Sequence, residues 1–118
     1  MSARLPERAR ARGSATRAEA SLFAALGDET RLSLVAQLAR GQPLSIAALA
    51  ADSPLTRQAV TKHLSVLQAA GLVTGTRRGR ERLFGLDPHR LRDARAALDT
   101  IANQWDDALG RLKAFVEP

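Results

Sequence analysis

Seven consecutive steps of three or four residues join Leu91, Ala94, Leu98, Ile101, Trp105, Ala108, Leu112 and Phe115. This is a heptad seam, a repeat that makes one face of a helix apolar along its whole length. Asp87 and Pro88 open the segment, a capping acid followed by the residue that suits the first helical position. A helix of about 28 residues is a rod near 42 Å long. Such a stripe can be laid on the chain's own core, but 118 residues make a body too small to cover all of it. A partner helix is therefore expected on this face, with Trp105 as the anchor of the interface.

Ahead of the rod the chain reads as short helices and one hairpin. Residues 1–13 are rich in arginine and poor in apolar side chains, and are expected to form a flexible basic tail, mobile or weakly helical. That tail is either a solvated leader or an arm that adds nonspecific attraction to a polyanion. From Ser14 a first helix carries Leu22, Phe23 and Leu26, with Gly27 as a left-handed stop. Asp28 caps a second helix striped by Leu32, Val35 and Leu38, closed by Gly41 and Pro43. Ser45 caps a short third helix with Ile46, Leu49 and Ala50, and Asp52-Ser53-Pro54 breaks it. Thr56 caps a fourth, with Val60, Leu64 and Leu67 inward and Gly71 at its end. Two short helices about a tight turn make a helix-turn-helix. Residues 72–77 and 80–86 then read as two strands around Arg78-Gly79. The expected fold is mainly α with a small β-hairpin wing, residues 14–86 forming one unit and 87–118 the pairing helix.

Only four residues are aromatic, Phe23, Phe84, Trp105 and Phe115, so the core must be built from aliphatic side chains and alanine. The formal charge is +6, and 16 of the 18 basic residues are arginine. A GC-rich genome would also enrich alanine and arginine, but it would spread them evenly. Instead, from Ser53 to Leu86 there are six basic residues against Glu81 alone, whereas from Asp87 onward five basic residues face six acidic ones. Positive charge gathers on the helix-turn-helix and hairpin.

The fourth helix presents Thr56, Arg57, Gln58, Thr61, Lys62 and His63 opposite its apolar positions. Arginine pairs bidentately with guanine, glutamine with adenine, and threonine offers both a methyl and a hydroxyl, so this face fits the major groove of a DNA duplex. Arg77, Arg78, Arg80 and Arg82 in the hairpin can follow phosphates or enter a narrow minor groove.

Several classes are excluded. The chain has no cysteine, which removes disulfides, thiolate metal sites and cysteine redox switches and points to the cytoplasm. Apolar runs are too short to span a membrane, and Met1 to Gly13 lacks the apolar middle of a secretory signal. His63 and His89 are the only histidines, neither stands in a catalytic motif, and Gly75 to Gly79 falls in the wing rather than in a phosphate loop. No enzymatic activity and no cofactor are expected.

The stretches ALGDETRLSLVAQLARG, PLSIAALA, PLTRQAVTKHLSVLQAAGLV and RRGRERLFGLD together resemble the ArsR-type winged helix-turn-helix regulators over about 60 residues, Ala25 to Leu86. The resemblance implies a homodimeric repressor with the fourth helix in the major groove and Arg80 as the principal wing residue. Pro54 departs from the glycine common in that turn. Many members bind metal through cysteines of the third helix, where this chain has Ser45, Ala47 and Ala48. Others use an acid and histidines of the final helices; Asp87 and His89 resemble the first pair, but Asp99, Thr100 and Asn103 stand downstream, so no metal site is expected. A protein-interaction module and a sensor of a small apolar ligand between paired helices are the alternative functions.

Overall fold

The computed structural model describes residues 7–117. In chain order it contains α1 (Glu7–Leu26), α2 (Glu29–Leu38), β1 (Leu44–Ser45), α3 (Ile46–Ala51), α4 (Arg57–Ala69), β2 (Val73–Arg78), β3 (Glu81–Leu86) and α5 (Pro88–Val116). The strands form one antiparallel sheet in the order β1-β3-β2. Helices pack against it around a core of Leu22, Leu34, Leu38, Leu49, Val60, Leu64, Leu67, Leu72 and Phe84. Each fully buried aliphatic side chain there contributes roughly 1.5–3 kcal/mol.

Every expected N-terminal cap forms. Asp28 Oδ2 accepts the Arg31 N–H, Ser45 Oγ that of Ala48, Thr56 Oγ1 that of Ala59 and Asp87 Oδ1 that of His89. Each satisfies an amide that has no partner inside its own helix. The turn between α3 and α4 accommodates Pro54 because Ser53 Oγ accepts the Leu55 N–H at 3.1 Å, closing the corner from the side chain.

At the other end of α4, Leu72 N donates to Leu67 O and Gly71 N to Gln68 O, both at 2.9 Å. These two bonds are the Schellman closure, which needs a left-handed residue; Gly71 supplies it with φ 77°. Leu72 and Leu67 are both fully buried and complete the motif's apolar contact.

Several boundaries differ from the sequence reading. α1 begins at Glu7 rather than Ser14, so residues 7–13 of the expected tail are helical, in keeping with the helix preference of Glu, Arg and Ala; residues 1–6 lie outside the described residues. Gly27 keeps a negative φ. The end of α1 is held instead by Arg31, whose Nε donates to Ala25 O at 2.6 Å and Nη2 to Ala24 O at 3.4 Å. In α2 the buried stripe is Leu34, Val35 and Leu38, and Leu32 is 54% exposed. The hairpin turn falls at Gly79-Arg80, one residue later than expected, with Gly79 at φ 63° in the first turn position. β1 was not expected; it pairs Leu44 with Phe84 and Ser45 with Leu83.

α5 leaves the body. Leu91 and Ala94 pack on the core, but Leu98, Ile101, Trp105, Leu112 and Phe115 are exposed, Trp105 by 65% and Phe115 by 88%. The Cα radius of gyration is 19.4 Å, against about 13 Å for a compact chain near this length. Among the described residues no helix is long and apolar enough to cross a membrane.

Candidate nucleic-acid interface

α4 is oriented by what it buries. Val60, Leu64 and Leu67 are seated in the core, so Arg57, Gln58, Thr61 and Lys62 are carried on the opposite, exposed face. Two of the expected site residues have local tasks as well. The Thr56 hydroxyl is the helix cap, and the Thr61 hydroxyl donates to Arg57 O at 2.8 Å. The heads of Arg57, Gln58 and Lys62 remain directed to solvent.

His63 stands apart from that face. It is half-buried, and its Nδ1 lies 3.9 Å from Asp28 Oδ2 at the start of α2. The Asp28 carboxyl is held below the usual carboxylate range, chiefly by the hydrogen bond it accepts from the Arg31 N–H and further by the charges of Arg31 and His63. Helical spacing alone could not separate His63 from Lys62; the neighbour that separates them is 35 residues away in sequence.

The wing divides its four arginines by face. Strand register sets Arg77 opposite Arg82 and Arg78 opposite Glu81. Arg82 shares the inner face with Phe84, its guanidinium 5.3 Å from the ring centroid, a cation–π contact of about 0.5–1 kcal/mol at an exposed site. It lies across Gly75: a Cβ there would meet Arg82 Nε at 2.8 Å and Gln68 Nε2 at 3.2 Å. Gly75 is thus the floor on which the guanidinium rests beside α4. Arg77 faces it across the strands, and like charges set directly opposite repel. Arg80 occupies the tip, after Gly79.

The electrostatic consequence is plain. Among the described residues the ion pairs are His63–Asp28, Arg90–Asp93 and Lys113–Glu117. Arg57, Lys62, Arg77, Arg78, Arg80 and Arg82 therefore stand without a carboxylate in contact. Such an array raises the local potential and attracts a polyanion.

Two arginines that sequence reasoning overlooked hold this frame together. Arg31 closes α1, and Arg90 reaches from α5 to the end of α4 and to α1. Neither leaves a signal in hydrophobic periodicity, because each acts on main-chain carbonyls of another helix.

Comparisons with known proteins agree with this architecture. A family described as a helix-turn-helix domain matches residues 26–76. The chain is 44% identical over 85 residues to the HTH-type transcriptional regulator Rv2034 of Mycobacterium tuberculosis, covering 72% of this chain and 76% of that protein. It is 39% identical over 95 residues to the HTH-type transcriptional repressor SmtB of the same species, covering 78% of this chain and 66% of that protein. The solved structure of an ArsR-like transcriptional regulator from Rhodococcus sp. RHA1 superposes with a TM-score of 0.77 at 38% identity, covering 86% of this chain and 95% of that one. All three are named as transcriptional regulators and none as an enzyme. With its winged helix-turn-helix fold and these relatives, the chain belongs to the ArsR-type family of transcriptional regulators.

Proposed function

We propose that this regulator is a homodimeric repressor that reads an inverted-repeat operator in double-stranded DNA, acting in the cytoplasm. The observation that carries the reading is the set of six cations on α4 and the wing that have no carboxylate within ion-pair distance among the described residues. Residues 14–86 serve as the reading unit and residues 87–118 as the pairing helix. Arg57 and Gln58 read base edges in the major groove, while Thr56, Thr61 and Lys62 fix the helix against phosphate. Arg77 and Arg82 face the notch between α4 and the wing, which suits the phosphate strand running between the two grooves, and Arg78 and Arg80 reach past it. His63 acts from behind, holding α4 to α2.

Pairing follows from α5, where Leu98, Ile101, Trp105, Leu112 and Phe115 are too apolar and too exposed to stay in water. Leu91 and Ala94, at the root of the same seam, serve the protomer's own core, and the half-buried Ala108 continues it. A symmetric pair would hold its two α4 helices about one DNA turn apart, roughly 34 Å, and repress by excluding polymerase.

The test is titration of the purified protein with duplexes selected from its host genome, across a range of salt. With about three phosphates neutralised per subunit, log K falls against log salt with a slope near −5. A slope near zero, or equal affinity for selected and random duplexes, overturns the reading.

A further inference from the structure

Arg90 sits on the first turn of α5 and touches three elements. Its Nε donates to Ala70 O at the C-cap of α4 (3.4 Å), its Nη2 to Ala18 O in α1 (3.3 Å), and its Nη1 pairs with Asp93 Oδ2 (3.2 Å). The stem crosses Gly71 so closely that a Cβ there would meet Arg90 Nε at 3.1 Å and Cγ at 3.2 Å. A cation in this place also faces the negative end of the α4 dipole, beside a carbonyl that the helix itself leaves open. A second bond joins the same two elements: Asp87 N, at the cap of α5, donates to Leu72 O, just past the Schellman closure, at 2.9 Å.

We propose that Arg90 is a positioning residue that fixes the angle between the recognition helix and the pairing helix, and so the half-site spacing a dimer accepts. The reasoning is geometric. In a two-fold pair α5 is the fixed axis and α4 the reading head, so an error in the angle between them is doubled across the operator. Exposed side chains of α4 set which bases are read; a fork of donors behind its C-terminus sets where the reading happens. Asp93 restrains that fork, and the planar guanidinium serves three acceptors where an ammonium would serve them only loosely.

This inference rests on the DNA-reading dimer proposed above, and its test separates the two. The chain lacks cysteine, so Gln58→Cys and Gln104→Cys place spin labels on α4 and α5 without further change. Labelled protein diluted into unlabelled protein reports the intrachain distance alone. Arg90→Met, which keeps the stem, and Arg90→Gln should each broaden or shift that distance distribution, with Arg90→Lys intermediate. An unchanged distribution in Arg90→Met and Arg90→Gln overturns the proposal. On selected operators whose half-sites are moved apart or together by one base pair, Arg90→Met should lower affinity at the native spacing by about tenfold. It should also shrink the penalty for wrong spacing, leaving the penalty for a wrong base as in the wild type. A wild-type spacing profile in a folded Arg90 variant overturns the proposal whatever happens to thermal stability. Should the wild type select no inverted repeat at all, the DNA reading fails on its own terms, while the spin-label distances still decide the role of Arg90.

Discussion

His63 Nδ1 lies 3.9 Å from Asp28 Oδ2, which ties the middle of the recognition helix to the first turn of α2. Asp28 serves two partners at once, because the same oxygen accepts the Arg31 N–H that caps α2. A carboxylate so placed is favoured in its charged form, and its proton affinity falls below that of an unfolded aspartate.

That depression makes stability depend on pH in one direction. Unfolded Asp28 titrates near 4; folded Asp28 titrates lower. The charge therefore stabilises the fold above about pH 4 and ceases to as pH falls through the folded value. Asp28→Asn keeps a capping side chain and removes only the charge. Urea unfolding should find the variant less stable than wild type at pH 7, with the difference closing as pH falls below about 4. A difference that stays constant over that range would show the charge to be irrelevant.

The two phases of α2 give a sharper contrast. Leu34 is 1% exposed within the core, whereas Leu32 is 54% exposed. Leu34→Ala should cost about 2–5 kcal/mol, the loss of a buried side chain together with the cavity it leaves. Leu32→Ala should stay within about 0.5 kcal/mol, as surface changes do. Chemical denaturation of both variants decides between the stripe through Leu34 and the one through Leu32.

The same helix shows where sequence is informative and where it is not. Leu32-Ser33-Leu34-Val35 offers two apolar stripes whose first leucines lie two residues apart, and helical periodicity fits either. Only the packing of α2 under α4 and β3 selects Leu34. The caps at Asp28, Ser45, Thr56 and Asp87 were legible because each bond closes within three residues. Likewise the outward face of α4 follows from three inward residues at helical spacing. By contrast, β1 forms only because Leu44 meets Phe84, and Arg90 finds Ala18 from 72 residues away. Long-range partners of that kind have no local signature, which is why the sequence left His63 open between a DNA-facing residue and a satisfied helix residue, with nothing to point to Asp28.

Within the wing, Arg77 and Arg78 are adjacent in sequence but differ in what they oppose. Arg77 is paired across the strands with Arg82, a like charge, and Arg78 with Glu81, an opposite one. Removing Arg77 relieves a repulsion worth about 0.2–1 kcal/mol, while removing Arg78 forfeits a weaker, longer-range attraction, because Arg78 and Glu81 face each other without closing to an ion pair. Arg77→Ala should thus bind DNA more weakly yet unfold at an equal or higher temperature; Arg78→Ala should lose on both counts. Each should reduce the salt slope of a dimer by roughly 1.8, one phosphate per subunit. Paired melting curves and salt titrations read both effects, and a melting temperature lowered equally by the two changes would contradict the cross-strand assignment.

Trp105 is the only tryptophan in the chain, and it is 65% exposed on a single protomer. It stands at the middle of the exposed seam, flanked by Ile101 and Leu112, beyond the last core contact of α5 at Ala94. A partner helix would bury the indole, so its emission should be blue-shifted when protomers are paired and move to the red on dilution. Trp105→Ala should weaken pairing by about 2 kcal/mol or more, near 30-fold, because a central aromatic anchor carries a large share of interface energy. The winged domain itself should remain folded, since its core does not include position 105. Sedimentation equilibrium measures the first effect and circular dichroism the second. An emission maximum already red-shifted and indifferent to dilution would mean that the seam has no second copy on it, and the two reading heads would then lose the scaffold that sets their separation.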